Sequence, residues 1–90
     1  MKVRLYGKSN CSYCKLAERF LQNRNIPYDY VSANDPGVTE YLIEKVNANI
    51  RSVPVVVIDD VYVGGYEELQ TYINENTTFE NGETKIILKG

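Results

Sequence analysis

An α/β domain with a mixed sheet is the fold class this sequence predicts, on three observations. Segments of strand character at 3–6, 28–31, 55–58 and 61–63 interleave with helical periodicities at 11–24, 36–48 and 66–75, in the order β-α-β-α-β-β-α. Val55-Val56-Val57-Ile58 is apolar and β-branched at every position, as in a strand covered on both faces. A helical crossover makes the first two strands parallel and right-handed, whereas the two-residue link Asp59-Asp60 makes the last two an antiparallel hairpin.

Each element has a local reason. Met1-Lys2-Val3-Arg4-Leu5-Tyr6 alternates polar and apolar, which suits a strand and not a signal peptide, and Gly7 to Asn10 forms a turn. In the first helix Cys14, Ala17 and Leu21 share one stripe, with Tyr13, Leu16 and Phe20 beside it. Asn25-Ile26-Pro27 ends it, because the residue before proline avoids the helical region. After strand 28–31, Asp35 is the expected N-cap of a second helix, with Pro36 at its first position and Val38, Leu42 and Val46 buried. Gly64-Gly65 breaks the fourth strand, and the third helix buries Leu69, Tyr72 and Ile73.

The chain has 90 residues, enough for one domain, and 43% of them are hydrophobic. No apolar run approaches the ~18 residues of a membrane span, so a cytoplasmic address is expected. Net charge is −2, but residues 1–25 sum to +5 (Lys2, Arg4, Lys8, Lys15, Arg19 and Arg24 against Glu18) and the rest to −7. The acidic balance and the lack of a basic run interleaved with aromatics argue against nucleic-acid binding.

Chemistry is concentrated in Cys11-Ser12-Tyr13-Cys14, where a strand runs into a helix. Two cysteines three apart on a first helical turn can close a disulfide and reopen it. A thiol reacts as its thiolate, and a helix N-terminus can lower the thiol pKa from ~8.5 to ~3.5–7.5. Cys11, at that N-terminus and flanked by Lys8 and Lys15, is the expected attacking thiol; Cys14, one turn further in, is the expected resolving thiol. A zinc knuckle needs four ligands, and the chain offers two cysteines and no histidine, so no metal is assigned. An inert buried pair is the remaining structural alternative.

Three motifs together resemble the glutaredoxins of the thioredoxin-fold superfamily over about residues 1–75. They are Lys8-Ser9-Asn10-Cys11-Ser12-Tyr13-Cys14, Arg51-Ser52-Val53-Pro54 and Gly64-Gly65-Tyr66-Glu67-Glu68-Leu69. The resemblance implies a four-stranded mixed sheet of order 2-1-3-4 with three helices on its two faces, and a cis bond between Val53 and Pro54. It implies a glutathione-dependent disulfide oxidoreductase that reduces protein disulfides and glutathionylated thiols, with Cys11 and Cys14 catalytic. Glutathione would pair with the backbone of Val53 beside Pro54. Its γ-glutamyl carboxylate would meet the helix N-terminus at Gly65, Tyr66 and Glu67, and its amine Glu68; Lys8 and Tyr13 would bound the opposite side, with Lys8 suited to the glycyl carboxylate. Implied partners are glutathione and disulfide-bearing or glutathionylated proteins, with ribonucleotide reductase a family-level candidate; a monomer is expected.

Four departures from the family pattern qualify this. Ser12 stands where proline is usual, and some glutaredoxins with serine there share a [2Fe-2S] cluster between two chains, an alternative role as carrier or sensor. Tyr41 occupies the position where many members place an Arg or Gln for the glycyl carboxylate, leaving Lys45 or Arg51 as substitutes. Glu68 is one methylene longer than the usual Asp. The chain has no Trp, against the Trp-Cys-Gly-Pro-Cys of thioredoxins, while glutaredoxin-like thioredoxins fed by thioredoxin reductase remain a rival. Residues 1–76 thus read as the glutaredoxin domain and 77–90 as an extension packed on it. There Asn81-Gly82 signals a β-hairpin that sets Thr78 and Phe79 opposite Ile86-Ile87-Leu88.

Overall fold

The structure is a computed structural model, and it describes residues 1–48 and 53–87. Strands β1 (Val3–Gly7), β2 (Tyr28–Ser32), β3 (Val55–Ile58) and β4 (Val61–Gly64) form one sheet in the order β2-β1-β3-β4. β1 pairs parallel with β2 and antiparallel with β3, and β3 pairs antiparallel with β4. The helices are α1 (Ser12–Asn23), α2 (Pro36–Glu44) and α3 (Tyr66–Asn76), and a second sheet holds β5 (Thr77–Glu80) and β6 (Glu83–Ile86). The mixed four-stranded sheet and the terminal hairpin are as the sequence led us to expect. Among the described residues no helix is long and apolar enough to cross a membrane.

The run 55–58 is apolar throughout because its two faces enter two cores. Val56 and Ile58 join Val3, Leu5, Ala17, Leu21, Leu69 and Ile73 on the side of α1 and α3. Val55 and Val57 join Tyr6 and Leu42 on the side of α2. All four are at most 1% exposed, and burying each is worth about 1.5–3 kcal/mol. Asp59 and Asp60 both take positive φ, 51° and 65°, the conformation a two-residue hairpin turn demands. Asp59 is held in place by its carboxylate, which accepts the Lys2 N–H at 2.8 Å.

Helix α1 ends through Asn25 and not simply because Pro27 follows. Asn25 adopts φ 54°, its N–H donates to the Gln22 carbonyl at 3.0 Å, and the Ile26 N–H returns to the Leu21 carbonyl at 2.9 Å. Ile26 and Leu21 then meet in the core, the apolar contact that accompanies such a stop. Helix α2 is shorter than expected and stops at Glu44, not Ala48. Asn47 turns left-handed at φ 54°, and the Ala48 N–H reaches the Leu42 carbonyl, six residues back, so the regular ladder is broken. Asp35 is the N-cap, but its side chain makes no capping bond. Of the residues assigned to this helix core, Leu42 is buried, whereas Val38 and Val46 are half-buried.

The hairpin forms in a different register from the one its apolar residues suggest. The two-residue turn Asn81-Gly82 makes Glu80 and Glu83 the closing pair, so Phe79 faces Thr84, Thr78 faces Lys85 and Thr77 faces Ile86. Ile86 and Ile87 are 55% and 40% exposed, so the apolar run is not buried as expected; Leu88 lies outside the described residues. Polar bonds dock the hairpin instead. Thr84 Oγ1 donates to the Arg24 carbonyl at 2.5 Å, Asn25 Nδ2 to the Gly82 carbonyl at 2.6 Å, and the Ile87 N–H to the Asn76 carbonyl at 2.8 Å. Thr77, buried, donates its hydroxyl to the Ile73 carbonyl at 2.6 Å and so finishes α3. Deleting residues 77–90 is expected to lower the melting temperature while leaving disulfide exchange at Cys11 nearly intact. An unchanged thermal midpoint in circular dichroism would show that these bonds contribute nothing to stability.

Candidate redox site

The candidate site begins where β1 ends. Gly7 is buried, and a Cβ there would stand 2.8 Å from Cys14 Sγ and overlap the Tyr30 hydroxyl, so this corner admits no side chain. The Tyr30 hydroxyl donates to the Lys8 carbonyl at 3.2 Å and steadies the turn that leads into α1. Burial first, and the charge of Glu18 second, push the Tyr30 phenol above its ordinary range, so it remains a donor at neutral pH. Neither residue was singled out from the sequence. A lone glycine between a strand and C-x-x-C was the available signal for Gly7, while Tyr30 meets the turn only through the parallel pairing of β1 with β2.

Cys11 is the N-cap of α1 with extended backbone, φ −115° and ψ 111°, and its Sγ accepts the Cys14 N–H at 3.0 Å. Cys11 and Cys14 form a disulfide with their Cα atoms 5.2 Å apart. Cys14 is 1% exposed, whereas Cys11 is half-exposed, so an attacking partner reaches Cys11. The Cys14 N–H points at the Cys11 sulfur, which stands at the N-terminus of α1. Donors aimed at the charged form favour that form, so the thiol pKa falls. Alkylation of the reduced protein by iodoacetamide should therefore rise with pH through an inflection well below 8.5, within about 3.5–7.5. An inflection at the free-cysteine value would show that the helix end does not stabilise the thiolate.

The Val53–Pro54 peptide bond is cis, and the Val53 carbonyl oxygen lies 3.7 Å from Cys11 Sγ. Val53 and Pro54 line a cleft of about 200 Å³ together with Tyr13, Gly65, Tyr66, Glu67 and Glu68. The Tyr13 and Tyr66 rings, with centroids 6.1 Å apart and tilted by 42°, link the first turns of α1 and α3. At the N-cap of α3, Gly65 donates its N–H to Glu68 Oε1 at 3.2 Å, which ties one carboxylate oxygen to its own helix. Positive φ belongs to Gly64 alone of the glycine pair, at 136°.

Seven of the residues proposed from the sequence thus share one cleft beside the disulfide. Lys8 is exposed on the turn and is not among the residues that line it. Tyr41 faces a different groove, with Arg4, Tyr6 and Val38, and Lys45 is exposed at the end of α2. Arg51 and Ser52 lie outside the described residues. Among the described residues the cleft lining holds two carboxylates and no Lys or Arg, and the first turn of α3 contributes Tyr66, Glu67 and Glu68 to it. Among the described residues there is no group of three or more side chains able to hold a metal ion.

Comparison with known proteins agrees with this geometry. The sequence model of the Glutaredoxin family matches residues 3–63. Glutaredoxin 1 of Escherichia coli strain K12 is 32% identical over 82 residues, covering 84% of this chain and 96% of that protein. The glutaredoxin-like protein NrdH of Lactococcus lactis subsp. lactis is 27% identical over 64 residues, covering 71% of this chain and 86% of the relative. The solution structure of oxidised Escherichia coli glutaredoxin superposes with a TM-score of 0.63 at 30% identity, covering 84% of this chain and 96% of that one. With its cysteine pair at the helix N-terminus, its sheet order and these matches, the chain belongs to the glutaredoxin family.

Proposed function

We propose that the protein is a glutathione-dependent oxidoreductase that reduces protein disulfides and glutathionylated thiols through Cys11 and Cys14. The observation that carries the reading is the meeting of Tyr13, Val53, Pro54 and the first turn of α3 in one cleft at the disulfide. An extended cysteinyl backbone could pair with Val53 there while its sulfur reaches Cys11, and a carboxylate could sit at the α3 N-terminus. The same reading puts the protein in the cytoplasm, where glutathione keeps thiols reduced.

A second reading, a glutaredoxin-like thioredoxin fed by thioredoxin reductase, is favoured by the charge of the cleft. Glu67 and Glu68 line it with no Lys or Arg among the described lining residues, and glutathione carries a net negative charge. Hydroxyethyl disulfide reduction separates the two. On the first reading NADPH is consumed with glutathione and glutathione reductase, and only at background with thioredoxin reductase. The reverse pattern would replace the first reading by the second.

A further inference from the structure

We propose that the groove between β4 and α3 docks a basic, extended segment of a disulfide-bearing protein substrate next to the reacting sulfur. This rests on the reading that Cys11 and Cys14 exchange with protein disulfides. β4 is the outer strand of the sheet, and the β5-β6 hairpin forms a sheet of its own and does not pair with it. The two-residue turn makes Ile58 and Val61 the hydrogen-bonded closing pair, so the next pair, Val57 and Tyr62, has its backbone groups turned outward. The Tyr62 N–H and C=O therefore face away from β3, and among the described residues neither makes a loop or cap bond.

Beside this edge runs a groove of about 500 Å³, walled by Val61, Tyr62 and Val63 on one side and by Thr71, Tyr72 and Glu75 of α3 on the other. Glu67 and Glu68 line both this groove and the cleft at the disulfide, so the two are neighbours along the start of α3. From Glu67 to Glu75 the helix rises about 12 Å, the reach of about four extended residues. Among the described residues the groove's lining carries the carboxylates of Glu67, Glu68 and Glu75 and no Lys or Arg. An outward donor–acceptor pair accepts an added strand, and the acidic wall selects a cationic one. A second copy of this chain pairing edge to edge would bring acid against acid.

The exchange balances in electrons and atoms. The Cys11 thiolate attacks one sulfur of the substrate disulfide, and the other sulfur leaves as a thiolate. Cys14, giving up its proton, attacks Cys11 Sγ and releases the first sulfur; the substrate gains two electrons and the protein becomes the Cys11–Cys14 disulfide.

The test uses the full chain, reduced with dithiothreitol and desalted. Two synthetic peptides of equal length each carry one cysteine as a mixed disulfide with 5-thio-2-nitrobenzoate, flanked by lysines in one and glutamates in the other. Release of the chromophore is followed under pseudo-first-order conditions. The basic peptide is expected to react about tenfold faster at low salt, with the advantage lost at high salt. Glu75→Lys should remove most of that advantage while hydroxyethyl disulfide reduction is unchanged, and N-methylation of the basic peptide's backbone amides should slow it severalfold. Equal rates for the two peptides, a preference untouched by Glu75→Lys, or a dimer by light scattering that masks the edge would each overturn the proposal. The peptide assay itself contains no glutathione, so its failure and the failure of the glutathione assay are separate results.

Discussion

Cys11→Ser is expected to reduce disulfide exchange to background in every assay, whereas Cys14→Ser removes only the reduction of protein disulfides. The asymmetry follows from where the sulfurs lie. Cys11 Sγ is the accessible one, at the end of α1 and 3.7 Å from the Val53 carbonyl, and a hydroxyl there has no accessible anion at neutral pH. Cys14 is buried and can reach only Cys11, so its task is to release a bound partner. Free glutathione can perform that release when the partner is glutathione itself, which keeps deglutathionylation alive in the Cys14 variant. The two activities are measured side by side, with a glutathionylated peptide and with a protein disulfide. A Cys14→Ser protein inactive on the glutathionylated peptide would overturn the assignment of attacking and resolving thiols.

Gly64→Ala is expected to destabilise the fold by about 1–3 kcal/mol, through its backbone conformation and its surroundings together. Gly64 has φ 136°, which L side chains rarely adopt, and a Cβ would sit 2.7 Å from both Cβ and Cγ of Glu68. Its partner across the sheet is Val56, at the point where the β3–β4 register shifts. In a domain of this size each kcal/mol lowers the melting temperature by about 4–8 °C. Gly37→Ala is the opposite case. It lies in α2 with nothing within 4 Å of its built Cβ, and the substitution should stabilise by about 0.5–1 kcal/mol. Denaturant midpoints of the two variants should move in opposite directions. An unchanged midpoint for Gly64→Ala would mean that the turn relaxes without cost.

The sheet order, the three helices and the cleft were legible because their determinants are local or carried by motifs. Val55–Ile58, Asp59-Asp60 and Asn81-Gly82 announce a buried strand and two tight turns within a few residues each. The illegible parts depend on partners distant in sequence. α2 ends early through a left-handed Asn47 that nothing nearby requires, and the hairpin register follows turn geometry against the pull of its apolar residues. Tyr30 supports the turn before Cys11 from 19 residues beyond it, through a pairing that only the folded sheet creates. Lys8, named through its motif, is exposed on the turn and is not among the residues that line the cleft.

The hairpin also sets a direction within the molecule. Tyr13 and Tyr66 bring the starts of α1 and α3 together at the disulfide, and the hairpin bonds near both ends, at Arg24 and Asn25 and at Asn76. Twelve residues of α1 span about 18 Å, so the hairpin and the sulfurs occupy opposite poles. A fluorophore or surface linker joined through the hairpin would hold the protein by its far pole, with Cys11 turned outward and free to meet its partners.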